Sequence, residues 1–413
     1  MLEGIAGGLQ PWWHHVGAYH EDRRMYRTAE PVYRWHKAHE EFLVNRQPVA
    51  NVGVVWSQQN TDFYGRDDAE SMVELPWRGF TQALVRARIP YLPVHADDLE
   101  RDGGRFSLLV LPNLAAMSDS QINAVRKFVQ AGGALIATGQ TSLFDKDGEP
   151  RPDFALNEFF QAHALQPPPK NGQARRRRQA GETLHTYLRL VPEMRRRVDG
   201  PHLGTEPLIS AERHPVLRGF DETDILSFGG SLEPLRIDAG AQVLMTFVPQ
   251  FPIYPPETAW MREPKTDIPG LIVNETATGG RMAFMPADLD RRFSRDNLPD
   301  HGDLLANLVR WAVKDEPPVA VEGRGLIDCH LYTQPRRLIL HLVNLTSAGT
   351  WRQPVDEFIP VGPLRVRLKL LGGMRGNSIR LLVSGERVAP KVTHGFCHFE
   401  VSSVLDHEMV VIG

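Results

Sequence analysis

Residues 106 to 142 constrain this chain most, because they spell strand, helix and strand and then reach the place of a nucleophile without supplying one. Phe106-Ser107-Leu108-Leu109-Val110-Leu111-Pro112 is a short apolar run closed by a proline, the pattern of a buried parallel strand. Ser118 and Gln121 have capping-box spacing, Ile122, Val125 and Val129 fall on one helical face, and Gly132-Gly133 supplies a left-handed stop. Ala134-Leu135-Ile136-Ala137 predicts the next strand, running into Thr138-Gly139-Gln140-Thr141-Ser142. A strand-to-helix elbow of this kind can hold a serine or cysteine where helix N-terminal amides stabilise negative charge. Here the turn offers Thr138, Gly139 and Gln140, and no cysteine lies nearby. The expectation is a vestigial elbow, a retained shape without the chemistry.

The remaining composition narrows the partners. A formal charge of −3 over 413 residues gives no electrostatic reason for nucleic acid or a membrane surface, and no apolar run approaches bilayer length. Cys329 and Cys397 are far apart and lack ligand spacing, so two reduced core thiols or one bridge fit better than zinc. His14, His15 and His20 form the one histidine cluster that invites a metal reading. Adjacent strand residues point to opposite faces, so His14 and His15 would not share an ion, and neither metal nor cofactor is expected. Met1-Leu2-Glu3-Gly4 is acidic where a secretory signal is basic, which predicts a cytoplasmic location for this start.

Three segments follow from the pattern along the chain. Residues 1–46 hold an aromatic, glycine-rich segment around Trp12-Trp13 and a helix predicted from about Pro31 to Asn45, with Val32, Trp35, His39 and Phe42 on one stripe. One strand and one helix cannot form a core alone. Residues 47–317 alternate strand with helix: Val49 to Trp56, the helix marked by Trp77, Phe80 and Leu84, Tyr91 to Val94, the unit above, three later strands and a helix from Asp303 to Val313. Such alternation predicts an α/β fold with a doubly wound, mostly parallel sheet. A polar stretch at about 145–204, with Pro167 to Pro169, Arg175 to Arg178 and Arg195 to Arg197, reads as a solvated insertion or as an anion or subunit contact. Residues 318–413 change character. Leu364 to Leu370 alternates apolar with basic at period two, and Leu338 to Leu345, Ser378 to Val383, Phe396 to Val401 and Met409 to Ile412 repeat the strand theme, predicting a small antiparallel β-sandwich.

Several side chains invite functional readings. Asp288 and Asp290 follow a strand at an edge where ligands bind, or they cap the turn before Arg291. His95 with Asp97 and Asp98 has the look of a base without a nucleophile. Ser57, Ser142 and Ser294 sit in no Gly-x-Ser-x-Gly elbow.

The order of these segments resembles the C-terminal two-thirds of the family 42 β-galactosidases, and more closely a group of hypothetical glycosyl hydrolases related to them. The residues that carry it are Val52 to Gln58 with Asp62-Phe63-Tyr64-Gly65-Arg66, Gly132 to Gly139, His214-Pro215-Val216-Leu217, Met285 to Asp290, and His341 to Leu345. The resemblance implies a middle domain similar to a class I glutamine amidotransferase (flavodoxin-like) that has lost its nucleophile and serves subunit association, as a homo-oligomer and typically a trimer. It implies that chemistry belongs to a (β/α)8 barrel, where one carboxylic acid protonates the glycosidic oxygen and a second attacks the anomeric carbon. Residues 1–46 are similar only to the last βα unit of such a barrel, so no catalytic residue is assigned. By the same resemblance Trp12, Trp13, His14, His15, Glu21 and Arg24 would lie near the barrel mouth, where indole faces stack on sugar rings, although burial against a neighbouring domain explains the tryptophans equally. The expected function is the non-catalytic portion of a carbohydrate hydrolase. The alternative is a stand-alone oligomerisation or carbohydrate-binding subunit that partners a separately encoded barrel.

Overall fold

The structure is a computed structural model that describes residues 1–13, 21, 23–165, 185–195, 213–264, 266–314, 317–346 and 357–413. It is a mixed α/β protein in two units: one of Met1–Ala50, Val85–Pro90 and Pro317–Gly413, the other of Asn51–Leu84 and Tyr91–Glu316. Among the described residues the strands form open sheets and no closed barrel.

The larger unit is built on one nine-stranded sheet. Its strands, in chain order, are β1 (Val52–Trp56), β2 (Tyr91–His95), β3 (Leu108–Leu111), β4 (Ala134–Thr138), β5 (Tyr187–Leu190), β6 (Ile225–Ser227), β7 (Gln242–Val248), β8 (Pro269–Glu275) and β9 (Arg281–Met285). They lie side by side as β2-β1-β3-β4-β9-β8-β7-β5-β6. The pairs from β2 through β9 are parallel. Those from β9 onward are antiparallel, so the parallel half predicted from strand-helix alternation ends at β9. Helices α1 (Leu75–Arg86) and α2 (Asp119–Gln130) follow β1 and β3, and α3 (Leu289–Asp296) and α4 (Pro299–Ala312) follow β9. The capping box forms as expected: the Ser118 hydroxyl accepts the Gln121 N–H and the Gln121 side chain accepts the Ser118 N–H. β3 and β4 are buried along their whole length, which explains why they read as continuous apolar runs.

Two expectations are corrected here. The strand predicted over 49–56 starts later, at Val52, and the residues just before it, Gln47–Pro48, form a separate short strand that pairs with Ile327–Gln334 in the smaller unit. The described part of the stretch 145–204 is no solvated excursion: Phe154, Leu156, Phe160, Leu188 and Leu190 are buried core residues, and β5 is a sheet strand. Pro167 to Pro169, Arg175 to Arg178, Arg196 and Arg197 lie outside the described residues.

The smaller unit contains two antiparallel sheets. One has six strands, in the order Gln47–Pro48, Ile327–Gln334, Arg337–Asn344, His407–Ile412, Ile379–Leu381, Arg387–Val388, and the other four, Val319–Glu322, Leu364–Lys369, Phe396–Val401, Lys391–Thr393. Leu331, Leu340, Leu342 and Val410 from the first share a core with Val366, Leu368, Cys397 and Val401 from the second. Leu364–Lys369 alternates buried with wetter positions, as its period-two pattern predicts. Arg337–Asn344 and His407–Ile412 do not alternate, because Ile339, Met409 and Val411 on their other face pack against Ile5, Phe42, Leu43 and Trp35 of the N-terminal helices. The first long helix there runs Arg24–Ala38 with Pro31 inside it, rather than starting at Pro31; the exposed helix absorbs the missing N–H of one turn. Cys329 and Cys397 are free and buried.

That apolar layer encloses one polar chain. Arg46 Nη1, which can only donate, lies 2.5 Å from His341 Nε2, so His341 carries its proton on Nδ1 and donates it to His407 Nε2 at 3.0 Å. Arg46 also bonds the Ile5 carbonyl and covers the Tyr332 ring, whose hydroxyl donates to the Ala6 carbonyl at 2.7 Å. Trp35 meets His407 edge-on at 5.2 Å.

Candidate functional site

In open sheets of this kind ligands bind beyond the carboxyl ends of the strands, where the strand order reverses. In the β2-β1-β3-β4 order that point lies between the turns after β1 and β3. Here side chains close it. Asn60, 1% exposed, donates from Nδ2 to the Asn113 carbonyl at 3.1 Å and accepts the Ala116 N–H at 2.9 Å, stitching the two turns together. Replacing Asn60 with alanine leaves the buried Ala116 N–H unpaired, while the Asn113 carbonyl keeps its bond from the Ala115 N–H at 2.8 Å. The expected loss is about 2 kcal/mol in a denaturant titration, and a loss below about 0.5 kcal/mol would show that the stitch contributes little.

The elbow after β4 is tied up in the same way. Gly139, at φ +59°, occupies the left-handed position that a nucleophile takes in such turns, and it has no side chain; a Cβ there would come within 2.5 Å of Asn113 Oδ1. The next amide, which would face an oxyanion, donates instead to Asn113 Oδ1 at 2.8 Å. All three nearby hydroxyls are engaged. Thr138 Oγ1 accepts the Asn113 N–H at 2.9 Å and donates to Asp290 Oδ2 at 2.6 Å. Thr141 Oγ1 accepts the Leu114 N–H at 3.1 Å and lies 2.7 Å from the Thr138 carbonyl, and Ser142 Oγ accepts the Leu156 N–H at 3.2 Å. Gln140 is clamped between Tyr64, whose hydroxyl donates to its Oε1 at 2.9 Å, and Glu233, which accepts from its Nε2 at 2.8 Å.

Among the described residues three carboxyl groups gather beside this knot, each already employed. Asp288 accepts the Ser231 N–H at 2.8 Å and pairs with Arg291 at 2.6 Å; it occupies the N-cap position of α3 without capping it through its side chain. Asp290 is fully buried, and burial raises its carboxyl to about 7 despite hydrogen bonds from Thr138 and the Arg291 N–H. Glu233 is held by Gln140. Glycoside hydrolysis needs two carboxyls facing one substrate space, and these three are knitted into the protein interior. A cavity of about 360 Å³ opens instead at the amino ends of β3, β4 and β9, near Phe106, Phe128, Arg281 and Lys314, and among the described residues no carboxyl side chain lines it.

Thr138, Gly139 and Gln140 are therefore brought together with Asp288 and Asp290. Sequence reasoning missed Asn60, Asn113, Tyr64 and Glu233 as their partners. Only Tyr64 carried a signal, as part of the Asp62 to Arg66 motif. In the other unit Trp12 is 77% exposed and Trp13 38%, and Glu21 and Arg24 are exposed. His14, His15 and His20 lie outside the described residues. Ser57 is buried, and no helix among the described residues is long and apolar enough to cross a membrane.

No family model matches the chain, and no curated protein matches its sequence. Solved structures do match its fold. α-L-fucosidase isoenzyme 2 from Paenibacillus thiaminolyticus superposes with a TM-score of 0.70 at 17% identity, covering 100% of this chain and 56% of that one. Gan42B, a GH42 β-galactosidase from G. stearothermophilus, gives a TM-score of 0.58 at 14% identity over 94% of this chain and 44% of its own. A β-galactosidase from Bacillus circulans sp. alkalophilus gives 0.58 at 12% over 95% and 46%. The chain thus shares its fold with glycoside hydrolases and spans about half the length of the proteins it matches.

Proposed function

We propose that this chain is the non-catalytic C-terminal portion of a β-galactosidase-type glycoside hydrolase. In this reading the larger unit is a doubly wound, amidotransferase-like association domain that has lost its nucleophile and assembles the subunits, as a trimer. The two antiparallel sheets, built from residues 318–413 with Gln47–Pro48 added at one edge, act as its β-sandwich. Residues 1–46 supply the final βα unit of a (β/α)8 barrel, and Trp12, Trp13, His14, His15, Glu21 and Arg24 frame the sugar there. The observation that carries the reading is the elbow: its left-handed position is a glycine, its next amide is taken by Asn113, and Asp288, Asp290 and Glu233 beside it are bonded internally. The fold likeness to a fucosidase and β-galactosidases supplies the class of enzyme.

The test is direct. Purified chain incubated with nitrophenyl β-galactoside and nitrophenyl α-L-fucoside is expected to release no nitrophenol. Turnover that a single Asp or Glu substitution abolishes would overturn the reading, because it would place a working acid in this chain.

A further inference from the structure

β1 is buried at every position except its last, where the Trp56 side chain stands 39% exposed at the carboxyl edge of the sheet. Leaving an indole half in water forgoes much of what burial would contribute, so its surroundings matter. They are fixed. His95, the register partner of Trp56 on β2, meets the indole edge-on with ring centroids 4.9 Å apart. His95 Nδ1 accepts the Asp97 N–H at 3.3 Å, so the neutral ring carries its proton on Nε2. The Asp97 carboxylate, 60% exposed, accepts Gln121 Nε2 at 2.7 Å. Gln121 is 2% exposed, is locked by its own capping box, and reaches toward Gln59 Oε1 at 3.5 Å. A capping residue needs none of these outward contacts to cap its helix; here it also orients a surface carboxylate.

We propose that Trp56, His95 and Asp97 form a surface site for a neutral pyranoside, independent of the reading above. The indole face offers a platform for the C–H face of a sugar ring. The oriented Asp97 carboxylate accepts from ring hydroxyls, and His95 Nε2–H donates to one. The exposed Asp97 carboxylate at the site disfavours phosphates and other anions. The groups are planar, few and held by a buried support, which limits the entropy lost on binding.

The experiment uses the full chain, with saturation-transfer NMR and calorimetry against methyl β-galactopyranoside, methyl α-L-fucopyranoside and methyl α-mannopyranoside, and inorganic phosphate as control. At least one glycoside is expected to saturate in the millimolar range and phosphate to give no heat. Trp56→Ala is expected to weaken binding roughly tenfold, and Trp56→Phe to retain it within roughly threefold. Asp97→Ala, at an exposed side chain, provides the second variant should Trp56→Ala fold poorly. No saturable binding by any of the three glycosides would overturn the site. So would binding that Trp56→Ala and Asp97→Ala both leave intact, since the sugar would then sit elsewhere. Neither outcome bears on whether the chain hydrolyses glycosides.

Discussion

Acidification is expected to loosen the smaller unit by about 3 kcal/mol through His407 alone, with His341 adding to the loss. His407 is 2% exposed, and burial first, then the Arg46 guanidinium and His330, lowers it from 6.5 to about 4. His341 is fully buried and is lowered well below 6.5 by burial, by His407 and by Arg46. The sign follows from proton counting. A histidine depressed in the folded state contributes its stability above 6.5, and loses it as the unfolded chain takes up protons between 6.5 and about 4. Geometry gives the same answer, since Arg46 occupies His341 Nε2 with a donor and leaves a second proton no room. The measurement is hydrogen exchange across Arg337–Asn344 and His407–Ile412 at stepped pH. The variant His407→Gln keeps an acceptor for His341 Nδ1–H and removes the His407 titration, leaving that of His341. Between 6.5 and about 4 its exchange is expected to accelerate less than that of the wild type, by the roughly 3 kcal/mol that His407 contributes. Identical acid profiles for the two proteins would show that His407 does not contribute to the acid limit.

How much of this was legible beforehand depends on whether a contact leaves a periodic trace. β3, β4 and α2 did, because a buried strand reads as a continuous apolar run and a capping box has fixed spacing; Leu364–Lys369 did, because one of its faces is wet. Ile327–Gln334 did not. It mixes Asp328, His330 and Thr333 among apolar residues, and its identity comes from pairing with Arg337–Asn344. The antiparallel half of the larger sheet was hidden for a similar reason: β5 sits in a stretch whose proline and arginine content reads as loop, although Leu188 and Leu190 belong to the core. Pro31 misled because proline favours helix starts, yet an exposed turn tolerates it. At the elbow the missing nucleophile could be read directly. What replaced it could not, because Asn60 meets Asn113 across 53 residues and Gln140 meets Glu233 across 93. Such polar locks follow from the fold and have no spacing of their own.

The second large effect has the opposite sign and sits in the other unit. Asp290 is held near 7 by complete burial, against 3.8 in an open chain, so its folded form keeps a proton that the unfolded form has shed. A raised carboxyl contributes stability at low pH and loses it as the pH climbs from 3.8 through about 7, a span worth roughly 4 kcal/mol. Burial offers no relief, because α1 packs so closely that a Cβ on Gly79 would lie 1.9 Å from the Asp290 carbonyl oxygen. Asp290→Asn keeps the shape: its amide oxygen accepts the Arg291 N–H and its amide nitrogen donates to the Thr138 oxygen, with no charge to bury. Between about pH 5 and 8 the wild type is expected to lose roughly 3 kcal/mol that the variant retains, read by denaturant unfolding or by exchange of the β4 and α3 amides. A variant that follows the wild-type pH curve, or that is the weaker protein at pH 8, would mean that Asp290 is ionised in the folded chain. The elbow would then hold a buried anion beside Thr138 and Gln140, and its polar knot would be poised for chemistry rather than retired from it.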